Sequence, residues 1–99
     1  MFIAIYRWQV KPGMDDQFQE GWRRVTLAIR ANCGSYGSRL HLCSDGSWLG
    51  YAQWPDAATR AACNHGEEEG GRMMSEAILA SFEEILGEVA LDLLMAMPG

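Results

Sequence analysis

The hydrophobic and polar positions of the chain alternate between patterns typical of strands and patterns typical of helices. Residues 2–10 (FIAIYRWQV) combine β-branched and aromatic side chains, as strands do, and Lys11-Pro12-Gly13 ends the pattern. Alternation along this strand predicts two faces. Ile3, Ile5, Arg7 and Gln9 share one face, and the other face carries Phe2, Ala4, Tyr6, Trp8 and Val10.

A helix is predicted to begin at about Met14 and to end at Asn32-Cys33-Gly34, where Gly34 suits a left-handed cap. Asp15 and Asp16 fall in its first turn, where carboxylates favour the positive end of the helix dipole. Its apolar residues recur at spacings of four, three and four, which marks one helical stripe. The stripe consists of Phe18, Trp22, Val25 and Ile29, and Trp22 is therefore expected in the core.

Residues 36–54 (YGSRLHLCSDGSWLGYAQW) are interpreted as two strands joined at Asp45-Gly46. Asp-Gly is a favoured pair for a two-residue type I′ loop, in which both central residues need a positive φ. That loop would fix the pairing register. The expected pairs are Cys43 with Trp48, Leu42 with Leu49, His41 with Gly50, Leu40 with Tyr51, and Arg39 with Ala52.

This register predicts a mixed face of donors, aromatic rings and small residues on the hairpin. Arg39, His41, Trp48 and Trp54 would share it, as side chains do when they line a pocket. The opposite face, with Leu40, Leu42, Leu49 and Tyr51, has the character of an ordinary packing surface. Neither face is uniformly polar, so both faces of the sheet are expected to be covered.

The second half of the chain is predicted to contain two helices and a last strand. Pro55-Asp56 opens a short helix over residues 57–64, and the polar, glycine-rich segment 66–71 interrupts the chain as a mobile loop. A second helix is expected from Arg72 to about Glu84. Gly87 breaks that pattern, and the segment 88–95 is assigned to a strand, with continued helix as the alternative.

The resulting order is βαββαβ, which predicts an α+β protein with the ferredoxin-like fold. In that fold an antiparallel sheet carries its helices on one face. Because the other face also bears apolar residues here, we expect a second copy of the chain to cover it, which gives a homodimer through the open sheet face.

Composition narrows the classes of partner. The 99 residues are expected to form a single domain, 1–99, and 48 % of them are aliphatic or aromatic. A net charge of −5 excludes nucleic acid as the main partner, since phosphate binding needs a basic surface. No apolar run reaches the length needed to span a membrane, and the N-terminal pattern is wrong for a signal peptide. The expected location is the cytoplasm.

The three cysteines are an odd number without C-x-x-C spacing, so a disulfide framework is not expected. His41-Leu42-Cys43 and Cys63-Asn64-His65 could form halves of a zinc site. Free cysteines more often pack in the core, so we predict no metal. The chain also has no G-x-G-x-x-G or P-loop motif, and we predict no cofactor.

Several stretches together resemble the antibiotic biosynthesis monooxygenase-like family. They are IYRWQVKPG, the amphipathic helix, GSRLH, DGSW, YAQWP and EEILGEVALDLL. The resemblance implies a dimeric α+β barrel of ferredoxin-like subunits, with one pocket per subunit between helices and sheet. Activities in the family include cofactor-independent oxygenation of polycyclic phenols or anthrones, haem degradation and isomerase-like reactions.

A cofactor-independent oxygenase must bind a flat aromatic molecule, assist proton removal and stabilise an oxyanion. His41 is the candidate base, and Arg39 and Tyr6 are candidate catalytic donors. The candidate substrate-binding residues are Trp8, Trp48, Trp54 and His65. Several of them have structural alternatives: Trp54 could wedge the corner before Pro55, and His41 and Arg39 could lie on an edge strand that faces solvent or the partner subunit. Three functions stay open: a monooxygenase, a non-oxidative isomerase-like enzyme, and a non-catalytic dimeric binder of a small ligand.

Overall fold

The computed structural model describes residues 1–64 and 67–95 of the chain. Its elements, in chain order, are β1 (Phe2–Val10), α1 (Asp15–Cys33), β2 (Gly37–Leu42), β3 (Trp48–Trp54), α2 (Ala57–Ala62), α3 (Glu68–Ala77), β4 (Ile78–Ser81) and β5 (Ile85–Glu88). The strands form one antiparallel sheet in the order β2-β3-β1-β4, and β5 also pairs with β1. The α+β, ferredoxin-like fold is thus confirmed, with its fourth strand split into β4 and β5.

The alternation predicted for β1 is confirmed. Phe2 and Ala4 are buried beneath the helices, where they form one core cluster with Ala52 and Trp54 of β3. Ile5 lies on the opposite, open face of the sheet, where it pairs with Tyr51 and Ile85. The strand therefore separates a helix-covered face from an open one.

The helix α1 begins and ends as predicted. Asp15 and Asp16 occupy its first turn, and Gly34 follows its last residue with a φ of 74°, the left-handed conformation that glycine adopts without steric cost. Phe18 is fully buried against Trp48 and Ala77, so the predicted stripe does face the sheet.

The register predicted for the hairpin is wrong by one residue. Leu42 pairs with Trp48, His41 with Leu49, and Leu40 with Gly50. In the described residues only glycines have a positive φ, which excludes the type I′ loop that would require one at Asp45. The Cys43 N–H donates to the Ser47 carbonyl at 2.8 Å instead, around a three-residue loop with Gly46 at φ 87°.

Side chains of the loop itself and of β1 hold this loop in place. The Asp45 carboxylate accepts hydrogen bonds from the Ser47 N–H at 2.9 Å and from the Ser47 hydroxyl at 2.6 Å. Those bonds, together with the nearby Arg7, hold the pKa of Asp45 below its ordinary value. The Arg7 guanidinium donates to the Asp45 carboxylate at 2.6 Å and to the Ser47 hydroxyl at 3.2 Å. The longer loop is therefore anchored to β1.

The boundaries predicted for the second half also change. The helix α2 ends at Ala62, and Asp56 is its N-cap, accepting from the Thr59 N–H at 2.7 Å. Pro55 thus precedes the cap and does not occupy the first helical position. Part of the segment predicted as a mobile loop is helical, since the Glu67 side chain caps α3 by accepting from the Gly70 N–H.

The helix predicted to reach Glu84 ends at Ala77, because the chain there joins the free edge of β1 as β4. The last strand is β5, which ends at Glu88, and residues 89–95 form no strand. The spacing of apolar residues after Ala77 favours a longer helix. The edge of β1, however, has backbone groups that need partners, and a fourth strand satisfies them. The segment 88–95 was therefore wrongly assigned to a strand.

The expectation that the cysteines are free is wrong for two of them. Cys33 at the end of α1 and Cys63 just after α2 form a disulfide, with their Cα atoms 5.3 Å apart. Both side chains pack against the core cluster that contains Trp54, and this common packing brings them together. Cys43 is free. An odd number of cysteines is therefore compatible with one disulfide and one free cysteine.

The helices α1 and α3 approach each other closely at two glycines. A Cβ added at Gly70 would lie 2.8 Å from the Gly21 carbonyl oxygen and 2.8 Å from the Arg24 Cβ. A Cβ added at Gly21 would lie 2.7 Å from the Gly70 carbonyl oxygen. The contact is thus between backbones, and a side chain at either glycine would separate the helices.

We expect Gly70→Ala to destabilise the protein by about 1–3 kcal/mol, the usual cost of forcing an extra methyl into a packed contact. The matched control is Gly71→Ala in the same helix, where an added Cβ meets nothing within 4 Å. That variant should be neutral or stabilising by up to about 1 kcal/mol, because alanine favours a helix. Urea denaturation of the two variants checks the prediction, and equal effects would contradict it.

Candidate functional site

A cleft of about 260 Å³ lies between the helices and the covered face of the sheet. Its walls are mainly apolar and aromatic, as expected of a small-molecule site, and its volume is at the small end for such sites. The strands contribute Tyr6, Trp8, Ala52 and Trp54; α1 contributes Trp22, Val25, Thr26 and Ile29; and Ser35, Ser38 and Met74 complete the lining.

Tyr6 carries the most informative polar contact of the cleft. Its hydroxyl oxygen accepts a hydrogen bond of 2.9 Å from the guanidinium of Arg60 on α2, and the guanidinium also lies 5.9 Å from the centre of the Tyr6 ring. Arg60 donates in addition to Glu84 at 2.9 Å. Partial burial opposes the charge of Arg60, but its hydrogen bonds to Tyr6 and Glu84 and the negative charge of Glu84 outweigh burial and raise its pKa. The cation is therefore permanent.

The rings of the cleft continue into the core. Tyr6 and Trp8 stack with their centroids 5.7 Å apart and their planes within 10°. Trp8 meets Phe18 edge-on at 5.3 Å, and Phe18 lies 5.7 Å from Trp48. Contacts of this kind stabilise aromatic pairs beyond the area that they bury. The orientation of Tyr6 and Trp8 is thus determined by the core beneath them.

Trp54 lines the cleft and carries a buried polar atom without a partner. The residue is 4 % exposed, and its indole Nε1 is buried without a hydrogen-bond partner in the part of the chain that the structure describes. Buried donors are normally satisfied, so an unpaired one beside a cavity is a candidate contact for a ligand or an ordered water.

The structure brings three of the seven predicted site residues together. Tyr6, Trp8 and Trp54 line the cleft. Trp48 is 7 % exposed, packs in the core against Phe18, and donates its indole N–H to Asp15 at 3.3 Å. It therefore contributes to the core beneath the cleft and does not line it.

Arg39 and His41 lie on the open face, contrary to the placement predicted with Trp48 and Trp54. The one-residue shift of the hairpin turns them to the side of Tyr51 and Leu49. They line a separate groove of about 440 Å³, together with Tyr36, Gln53 and Leu94. Gly50, which was predicted to pair with His41, pairs with Leu40 instead and lies against the Trp8 ring. His65, the seventh predicted residue, lies outside the described residues.

Two residues of the site were missed or misjudged from the sequence. Trp22 was expected in the core, but it is half-buried and lines the cleft. Its position on the apolar stripe of α1 does not distinguish a core side chain from a cleft side chain. Arg60 is not among the site residues predicted from the sequence. The sequence feature that could have indicated Arg60 is its charge, because it is the one charged residue in a short helix that follows Trp54-Pro55.

Within residues 1–64 and 67–95, no group of three or more His, Cys, Asp or Glu side chains could hold a metal ion. Cys63, which belongs to one half of the possible zinc site, is bonded to Cys33 in the disulfide. Among the described helices, none has both the length and the apolar character needed to cross a bilayer.

Solved structures of antibiotic biosynthesis monooxygenases have a fold similar to that of this chain. SnoaB from Streptomyces nogalater, a cofactor-independent oxygenase, matches with a TM-score of 0.75 and 19 % identity over 93 % of this chain and 95 % of its own. A second antibiotic biosynthesis monooxygenase matches with a TM-score of 0.71 and 18 % identity, over 92 % of this chain and all of its own.

Rv0793 from Mycobacterium tuberculosis matches with a TM-score of 0.73 and 11 % identity, over 94 % of this chain and 98 % of its own. No protein-family model matches the chain, and no curated protein does. At these identities the matches establish the fold alone. The resemblance seen in the sequence is confirmed at that level.

We expect Gly50→Ala to displace the Trp8 ring, because an added Cβ would lie 3.1 Å from its Cη2 and 3.2 Å from its Cζ3. Tryptophan emission and near-ultraviolet circular dichroism should both change, at a stability cost of about 1–2 kcal/mol. Gly87→Ala, where an added Cβ meets nothing within 4 Å, is the control. Spectra that change equally in both variants would contradict the assigned Trp8 contact.

Proposed function

We propose that the protein is a cofactor-independent monooxygenase that oxidises a small phenolic or anthrone-like molecule in the cleft. The observation that carries the proposal is the Arg60–Tyr6 hydrogen bond beside an aromatic cavity. Because the Tyr6 oxygen accepts from Arg60, its own hydrogen remains available to donate. The natural acceptor is an oxygen of the ligand that bears negative charge.

The overall reaction balances without an added reductant. The substrate supplies the electrons: an activated ring CH₂ becomes a carbonyl, one atom of O₂ enters the product, and the other leaves as water. The step that needs help is formation of the substrate anion that reacts with O₂. Tyr6, backed by the Arg60 cation, would stabilise that anion by a fixed hydrogen bond, as an oxyanion hole does.

The residues around Tyr6 support binding of a flat ring system. Trp8 and Trp22 offer aromatic surface, and Trp54 Nε1 offers a second donor at the same cavity. The small volume favours molecules of two or three fused rings over larger ones. The proposal gives no role in the cleft to Arg39 and His41, because both lie on the opposite sheet face.

Tyr6→Phe removes the donated hydrogen while it keeps the ring. We expect this variant to lower kcat for a hydroxynaphthalene or anthrone by about 100-fold, the scale for loss of one oxyanion donor. Oxygen consumption and quinone absorbance measure the rate. His41→Ala should retain the wild-type rate.

A rate that falls with His41→Ala and not with Tyr6→Phe would move the site to the open face and contradict the proposal. The same assay tests the other two functions. A non-catalytic binder would show quenched tryptophan emission without oxygen uptake. An isomerase-like enzyme would convert its substrate at an unchanged oxygen concentration.

We further propose that the protein acts as a homodimer through the open face of the sheet. Ile5 is only half-buried there, Ile85 is 62 % exposed, and Leu94 is 83 % exposed beside the groove of Tyr51. Exposed apolar side chains grouped in this way often mark an interface, and a twofold contact would cover them with the same surface of a second copy.

We expect Ile5→Glu to dissociate the dimer, because a carboxylate buried at the interface without a partner costs several kcal/mol. Gln9→Glu, which is exposed on the same face of β1, should remain dimeric. Sedimentation at micromolar concentration distinguishes the two species. A wild-type protein that sediments as a monomer would refute the dimer outright.

Cytoplasmic location stays a prediction, and the disulfide bears on it. Persistent disulfides are typical of oxidising compartments, whereas the cytosol of most organisms keeps thiols reduced. If the protein acts in the cytosol, Cys33 and Cys63 would meet reducing conditions there.

A further inference from the structure

We propose that the Cys33–Cys63 disulfide is a redox-sensitive clamp that keeps Arg60 on Tyr6, so that its reduction weakens ligand binding in the cleft. Arg60 is thereby a positioning residue that acts through Tyr6. The proposal rests on the proposed function in that the ligand occupies the cleft next to Tyr6.

The helix that carries Arg60 is held by few contacts. The six residues of α2 include none that is buried. A helix of this length is not stable by itself, because its hydrogen bonds do not offset the cost of nucleation. Its N-terminal end is fixed by Trp54 and by the Asp56 cap. In the described part of the chain, its other end is held by the bonds of Arg60, by the approach of Thr59 to Gly34 and by the disulfide.

The disulfide joins that end to a much more stable element. Cys33 is the last residue of the 19-residue α1, which is packed on the sheet and on α3. Cys63 follows α2 directly and donates its N–H to the Arg60 carbonyl at 3.1 Å. The covalent bond therefore fixes the chain three residues after Arg60, whose guanidinium contacts Tyr6.

A reductant can reach the bond. Both sulfur-bearing residues are only half-buried, and they line a surface depression of about 360 Å³ together with Asn32, Thr59, Ala62 and Asn64. A cellular dithiol is the reductant that we assign. Its thiolate attacks one sulfur, the Cys33–Cys63 bond breaks, and its second thiol resolves the mixed disulfide. Two electrons pass to the protein, which gains two thiols, while the dithiol becomes a disulfide.

Loss of the bond should release α2 and not the sheet. Once α2 is released, water can hydrate the Arg60 guanidinium fully and competes with its hydrogen bond to Tyr6. The other partner of the guanidinium, Glu84, lies outside α2. Tyr6 would keep its stacking on Trp8 but lose its cationic neighbour. A ligand anion at Tyr6 would consequently be bound less tightly.

The test compares oxidised and dithiothreitol-reduced protein in a Cys43→Ser background, which removes the free thiol. Amide hydrogen exchange across residues 57–62 should accelerate about tenfold or more on reduction, with the β1 and β3 amides unchanged. The Kd for 1-naphthol, measured by tryptophan quenching, should rise about three- to tenfold, the equivalent of one hydrogen bond.

Two variants separate the clamp from other causes. The double variant Cys33→Ser/Cys63→Ser should behave like the reduced protein and should not respond to dithiothreitol. Arg60→Ala should weaken 1-naphthol binding in the oxidised protein while α2 stays protected, and reduction should weaken its binding no further. Additive effects of Arg60→Ala and reduction would overturn the proposal.

Other results would overturn it as well. One is the presence of two reactive thiols in the purified, untreated Cys43→Ser protein. Another is amide exchange that reduction leaves unchanged in α2 or accelerates throughout the sheet. A third is faster exchange of α2 on reduction with an unchanged Kd for 1-naphthol. Failure of 1-naphthol to bind the oxidised protein would count against the proposed function and against the link between clamp and cleft. The exchange measurement would still decide whether the disulfide holds α2.

Discussion

The three-residue loop between β2 and β3, which is held by Asp45, Ser47 and Arg7, determines which side chains can meet in the cleft. Arg7 reaches from β1 to Asp45 and Ser47 and holds a loop of three residues where two would have been enough. Because strand side chains alternate, one extra residue turns all of β2 over. It directs Leu40 toward the helices and His41 toward the open face. The chemistry available beneath α1 is therefore set by a side-chain contact some distance from it.

Local patterns predicted the elements in which short-range chemistry dominates. The alternation of β1 and the capping of α1 by Gly34 need only neighbouring residues, and both are as expected. The hairpin register is different, since its loop is held in part by Arg7, which is 38 residues from Asp45 in the sequence. The split fourth strand is similarly determined by the unpaired edge of β1, which no local spacing reveals.

The candidate site was predictable only in part for the same reason. Tyr6 and Trp8 follow from the alternation of one strand, and both line the cleft. Arg60 reaches Tyr6 across 54 positions of the chain, and the disulfide that steadies its helix spans 30. Such pairs are created by packing on a common core cluster, and composition does not encode them. Aromatic rings indicated a binding surface, but tertiary structure selected which rings belong to it.

The division of the fourth strand also bears on how sheets of this protein could join at their edges. β4 and β5 are four residues each, and residues 82–84 interrupt the edge between them. Short, broken edges are poor templates for an incoming strand, whereas β2 on the other side offers six continuous residues. In the described part of the chain, backbone ladders could thus extend from one side only. Two molecules joined at β2 would cap each other, so edge pairing would end at a closed pair and would not propagate into a fibre.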